Sequence, residues 1–366
     1  MIDWVKYSVK PQISTIQDYP TIVDVLEDIL EDEEEKASLT KYPLTDSRTE
    51  LYNIEEPGHY FVMRSESDPQ RVLLYPTGRN ALTFFRGESG AYDTCLPSLL
   101  RTNDEKTKLC ARLQAAELEC ILKRHPVISD FLHREFRHVR LSRPFRMTVP
   151  FRGLAQHYGI LTPFLDLSND KWVAAFFAVT NYSHGSWGVV TPSDSQRYGS
   201  FYRLAKVDFN NKNIPQPTPI GVQFFNRPGR QSAFTLDMTN MEDFKHYPGV
   251  ERIYFRHDSN ANELVYDLCQ QGCKFFPHDS LVDVVDQLKQ SNKYSLSAVE
   301  MTRLTYYSNK SASEMQSFVT GHGFEVVHEP LICFNTQTMQ KEWDEWQREG
   351  AQRLLNSMVI MPVTIL

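Results

Sequence analysis

The segment Leu154–Gly159 (LAQHYG) sets an amide, an imidazole and a phenol side by side in Gln156, His157 and Tyr158, then supplies a glycine turn. So many polar groups in one short stretch need partners. His157 can serve as acid, base or orienting donor, and Tyr158 can stack on a flat ring or donate a hydrogen bond. The plainer reading is that Gln156 and His157 hold the following loop together. A second group is Arg86-Gly87, which ends the apolar run Ala81–Phe85. The planar fork of Arg86 suits a phosphate or carboxylate. Gly87 allows a sharp turn or close approach to a ligand. The competing role for Arg86 is structural, paired with an internal acid.

Two further positions complete the set. Asp166 and Ser168 precede the apolar segment Lys171–Val179 (KWVAAFFAV), which is predicted to be a buried helix. Ser168 would cap it, while free N–H groups at the helix start would favour an anion. Asp166 would then position donors or act as a base. Gln231 precedes a predicted strand and can reach ligand hydroxyls, or simply face solvent. The expected catalytic set is thus His157, Asp166 and Gln231, and the expected ligand-holding set Arg86, Gly87, Gln156, Tyr158 and Ser168.

No metal site is expected. The six cysteines form no CxxC pair, and Cys269 and Cys273, one helical turn apart, lack the partners zinc needs, so both read as core thiols. The acidic run Glu31–Glu35 does not share one helix face.

These residues need a scaffold. The 366 residues are 41% hydrophobic and 12% aromatic, enough for one large domain with an appendage, or for two domains. The net charge of −7 gives no general attraction to phosphate backbones, and the Arg134–Arg146 run reads as a solvated face. No apolar run approaches the roughly 20 residues that cross a bilayer. The start MIDWVKYSVK lacks a signal-peptide core. A cytoplasmic protein, free of membrane, is expected.

Helices are predicted over Thr21–Leu30, Asp104–Arg124, Ser129–Phe136, Lys171–Val179, Ala261–Gln271 and Ser280–Gln290. Strands are predicted around Tyr60–Met63, Ala81–Phe85, Trp187–Val190, Phe201–Phe209, Val222–Phe225, Ala233–Leu236 and Val250–Phe255. A change of texture at Ser291 places a boundary there, giving domains over 1–290 and 291–366. The tail shows a capping box at Ser311–Glu314, a strand or hairpin over Phe324–Phe334, and a helix over Met339–Leu355. Trp343 and Trp346 on that helix would pack against the main domain. The expected class is α+β: a mixed, mostly antiparallel sheet core with several helices, plus a small C-terminal α/β appendage.

The order of pieces resembles the FRG domain over roughly residues 10–290. FFRG comes first, then CLPSLLR (Cys95–Arg101), LAQHYGILTPFLDLS running into KWVAAFFA, RQSAF, and CKFFPHDSLVDVVDQL (Cys273–Leu288). Pro163 and Leu167 stand where the family pattern has arginine and tryptophan. The resemblance implies bacterial or phage-related, defence-type contexts. A weaker similarity to ADP-ribosyltransferases of the Arg-Ser-Glu type rests on Arg86, Ser168 with Ala174–Ala178, and Gln231. It implies NAD as the nucleotide, with Arg86 on the pyrophosphate, Ser168 orienting the ribose and Tyr158 on the ring. Gln231 cannot supply the charge of the missing glutamate, and neither Glu251 nor Glu263 sits in the family's local pattern. The competing expectation is a non-catalytic module that senses a nucleotide-like ligand or a protein partner.

Overall fold

A computed structural model describes residues 17–29, 60–64, 71–76, 83–137, 144–183, 185–193, 196–205, 214–220, 225–241 and 243–357. The acidic run at 31–35, the middle of the arginine run and the strand predictions at 206–209 and 222–224 lie outside these residues.

The centre is a seven-stranded sheet. Its strands are β1 (Gln17–Tyr19), β2 (Phe84–Glu88), β3 (Phe164–Ser168), β4 (Tyr198–Leu204), β5 (Thr218–Pro219), β6 (Ala233–Asp237) and β7 (Val250–Arg256), in spatial order β1-β7-β4-β2-β3-β6-β5. Only the β1–β7 pair is parallel. The mixed, mostly antiparallel α+β class is therefore the one the chain adopts.

Alternation along the strands buries both faces. Phe85, Phe201, Ile253 and Phe255 pack under the helix at residues 22–29 (α1), with Val173, Phe176 and Val265 from two later helices. Phe84, Leu165, Leu167, Tyr202, Phe234 and Phe244 fill the other side.

The remaining helices are α2 (Glu105–Arg124), α3 (Pro126–His133), α4 (Phe151–His157), α5 (Lys171–Val179), α6 (Asn226–Arg230), α7 (Ser259–Leu268), α8 (Ser280–Gln290), α9 (Leu296–Tyr306), α10 (Ala312–Gly321) and α11 (Thr336–Glu345). A separate cluster joins Leu113, Phe131, Leu154, Leu288, Tyr294, Met315 and Trp346. Residues on either side of 291 thus share one apolar interior. The Ser311 capping box is present. Trp346 is buried, and its indole N–H donates to Asp130 Oδ2 at 2.7 Å. Among the described residues no helix is long and apolar enough to cross a membrane.

Several boundaries differ from the sequence reading. Pro126 does end α2, but it also opens α3, where its missing N–H is harmless, so the short helix begins before Ser129. The LAQHYG segment, given no element in the sequence reading beyond its glycine turn, begins inside the helix α4, and Gly159 at φ 79° makes the turn. In the tail, Phe324–Phe334 yields only the strand Glu325–Val327, paired in parallel with Lys293–Ser295. The last helix is interrupted by a π-turn over Trp346–Gly350, where a Cβ on Gly350 would strike the indole of Trp346 at 2.4 Å.

Candidate functional site

The sheet splits where the site lies. β2 and β3 share one register pair, Phe85 with Ser168. Beyond it β2 stays with β4, while β3 stays with β6. A cleft of about 570 Å³ opens there, lined by Arg86, Glu88, His157, Asp166, Ser168 and Gln231 among others.

Arg86 sits within β2 rather than at a turn, because the strand runs on to Glu88. Its Nη1 donates to the Asp166 carbonyl across the split at 3.0 Å, and its Nη2 to Glu88 Oε1 at 3.3 Å. Glu88 is nearly fully buried and also accepts from the Tyr202 hydroxyl at 3.0 Å and Cys95 Sγ at 3.4 Å. Arg101 Nη2 approaches the same carboxylate at 3.7 Å from the cleft mouth. Burial works against the Arg86 charge, but Cys95, Glu88 and Asp166 around it hold the guanidinium firmly protonated. Burial pushes the Cys95 thiol up to about 11. Arg86 is thus paired with an internal acid as well as facing the cleft.

Gly87 lies within β2, not in a turn, and lines the cleft. A Cβ there would lie 1.8 Å from the Ala174 carbonyl oxygen, so glycine is what lets α5 press onto β2.

His157 ends α4 and is 8% exposed. Its Nδ1 lies 2.9 Å from Gln231 Oε1, and its Nε2 faces Asp166 Oδ1 at 3.4 Å. Asp166 Oδ2 accepts from Gln156 Nε2 at 3.2 Å, and Gln156 Oε1 accepts from Thr162 at 2.6 Å. Gln231 is buried, not solvated, and its Nε2 donates to the Phe275 carbonyl at 3.1 Å. Among the described residues, three atoms at the cleft lack a hydrogen-bond partner: Arg86 Nε, His157 Nε2 and Asp166 Oδ1.

The expectations for Ser168 and Tyr158 are corrected. Asp166 and Ser168 lie on β3, not on a loop. The cap of α5 is Asp170, which accepts from the Trp172 N–H at 2.8 Å and so occupies a donor that an anion would use. The Ser168 hydroxyl is engaged twice, donating to the Gln231 carbonyl at 2.7 Å and accepting from the Asp170 N–H at 2.9 Å. Tyr158 does not reach the cleft. One residue further round the turn than His157, it points into the helical cluster and donates to Asp279 Oδ2 at 2.6 Å. Burial raises its phenol well above the ordinary value, and Asp279 beside it adds to that. Cys273 is exposed rather than part of the core, while Cys269 is buried; both are free thiols.

Sequence reasoning missed Glu88, Arg101 and an aromatic rim. Glu88 was within reach, because residues two apart on a strand share a face. The rim comes from Tyr92, 48% exposed, and from the hairpin Thr180–Ser183/Ser186–Val189, which carries Tyr182, 62% exposed, and Trp187. The Tyr182 and Trp187 rings are 5.1 Å apart, and Phe177 lies 5.3 Å from Trp187.

Behind the rim, His257 Nε2 donates to the Ser89 carbonyl at 2.9 Å, and its Nδ1 accepts from Asn262 Nδ2 at 3.1 Å. Burial lowers the His257 pKa from the ordinary imidazole value. The unfolded chain therefore binds the extra proton first. Stability is expected to fall as pH drops below about 6.5, down through the lower folded-state value. Urea denaturation at about pH 7.5 and about pH 5.5 reads this. A His257→Gln chain should lose part of the pH slope; an unchanged slope rejects the assignment.

Residues 81–186 match the family model of the FRG domain. No curated protein and no solved structure matches the chain. The matched stretch holds Arg86, Glu88, Arg101, His157, Asp166, Ser168 and the Tyr182 arm of the hairpin, so the FRG domain at residues 81–186 supplies most of the cleft.

Proposed function

We propose that the cleft binds a nucleotide-like ligand, with NAD the leading candidate, and that His157 and Asp166 act on its glycosidic bond in the manner of an ADP-ribosyltransferase. The supporting observation is the buried pair of His157 Nε2 and Asp166 Oδ1, without other hydrogen-bond partners among the described residues and facing a cleft with an aromatic rim. A cleft of this size suits a small organic ligand. Tyr92, Tyr182 and Trp187 offer faces for a flat ring. Arg101 at the mouth and the free Nε of Arg86 offer donors to a phosphate.

In the transferase pattern a glutamate stabilises the positive charge that develops on the sugar. Gln231 has no charge, and both ends of its amide are already engaged. Of the two carboxylates that line the cleft, Glu88 is taken up by Arg86, Tyr202 and Cys95, so we assign that role to Asp166. Ser168 and Gln156 then act on the site's geometry, not on the ligand. The defence-type effector role implied by the family resemblance rests on the same cleft being active.

A second reading, a non-catalytic sensing module, draws on the pairing of both Arg86 Nη atoms with Glu88 and the Asp166 carbonyl. One experiment separates the two. Purified protein incubated with NAD is expected to release nicotinamide, and Asp166→Asn to lower the rate about 100-fold or more. A thermal shift with NAD but no release selects the sensing module. Neither shift nor release rejects NAD for both readings.

A further inference from the structure

We propose that Gln231 is a positioning residue that fixes the tautomer of His157, so that Nε2 is the nitrogen that takes a proton from whatever enters the cleft. The inference about the proton on the ring needs no ligand; its use in catalysis rests on the proposed function above.

The Phe275 carbonyl faces the Gln231 side-chain amide. That oxygen carries no proton, so the end of the Gln231 amide that meets it at 3.1 Å must be the NH₂ group. The other end, Oε1, then faces His157 Nδ1 at 2.9 Å. An amide oxygen only accepts, so Nδ1 must carry the proton. In the neutral ring this leaves the lone pair on Nε2. Gln231 cannot rotate without losing both bonds, and it is only 4% exposed. Its backbone is held as well, through the Ser168 hydroxyl at 2.7 Å.

The consequence lies on the other side of the ring. Nε2 is 3.4 Å from Asp166 Oδ1, and neither atom has a hydrogen-bond partner among the described residues. A lone pair set against a carboxylate is unfavourable until a proton arrives between them. Once Nε2 is protonated, the imidazolium and Asp166 attract each other. The pair is thus poised to remove a proton from an O–H group in the cleft. The oxygen of water or of a target hydroxyl bonds to the ribosyl carbon as the C–N bond breaks. The electron pair of that bond leaves with nicotinamide, and the O–H proton passes to Nε2 and then to solvent.

The test uses the full chain labelled with ¹⁵N-histidine, with the His157 signal assigned by its loss in His157→Asn. With the ring neutral, the wild-type spectrum is expected to show Nδ1 protonated and Nε2 bare. In Gln231→Met the proton should move to Nε2, where Asp166 Oδ1 can accept it. In Gln231→Glu, whose carboxylate again accepts from Nδ1, it should return. A wild-type ring with its proton on Nε2, or a folded Gln231→Met chain still protonated on Nδ1, overturns the proposal. If Gln231→Met does not fold, the wild-type spectrum alone decides. Nicotinamide release gives the second arm: Gln231→Met should lower kcat about 10-fold or more with KM little changed, and Gln231→Glu should restore part of it. The expected tautomers without any nicotinamide release leave the positioning role standing and remove the NAD reading.

Discussion

Gly87→Ala is expected to prevent folding or to remove about 4 kcal/mol or more of stability. The added methyl carbon would lie 1.8 Å from the Ala174 carbonyl oxygen and 2.7 Å from the Ala178 nitrogen. Both belong to the backbone of α5, so no side chain can swing aside. Either the helix lifts off the strand or the strand leaves the sheet. Lifting α5 opens the interior around Phe85, Val173 and Phe176, all of them buried. It also shifts Phe177 and Ala174, which wall the cleft. Gly188→Ala is the control, since a Cβ there meets nothing within 4 Å. Soluble yield and urea midpoints of the two variants decide the matter. Equal midpoints would show that α5 and β2 are not locked by this contact.

The second large effect concerns the charges under the cleft. Glu88→Leu should cost about 3–5 kcal/mol, because it strands the Arg86 guanidinium and removes the acceptor of the Tyr202 hydroxyl. Arg86→Met alone should cost less, since Arg101 still approaches Glu88 from the mouth. The double variant Arg86→Met/Glu88→Leu should cost clearly less than the sum, because a buried ion pair replaced by apolar groups is often near neutral. Urea unfolding of all four chains gives the coupling directly. Additive losses would mean that the two side chains stabilise the fold independently.

Much of this was legible in the chain, for local reasons. The nine residues Lys171–Val179 are, but for Lys171, apolar on nearly all sides, which a buried helix tolerates, and α5 has those bounds. His157 stood out because an imidazole between an amide and a phenol must find partners. What stayed hidden depended on pairings distant in sequence. The split between β2 and β3 is set by their different outer neighbours, β4 and β6, and no local pattern announces it. Tyr158 was read with His157 because they are adjacent, yet one step along a helix turns the side chain through about 100° and sends it to another interior. Ser168 and Asp170 are both good caps, and the choice between them followed from Ser168 pairing with Phe85 in the sheet. Gln231 looked solvated because nothing near it in sequence reveals the Phe275 carbonyl.

The stretch that matches the FRG model ends at residue 186, yet the turn that carries His157 is held from beyond it. Gln231 grips the ring and Arg227 Nη1 the His157 carbonyl at 3.4 Å, while Asp279 and Lys289 hold the side chain and carbonyl of Tyr158. The matched stretch is therefore not a portable module. Moved to another chain by recombination, it would bring its histidine but not the residues that aim it. A graft of this site would have to carry the chain through α8 as one piece, a unit far longer than the recognisable signature.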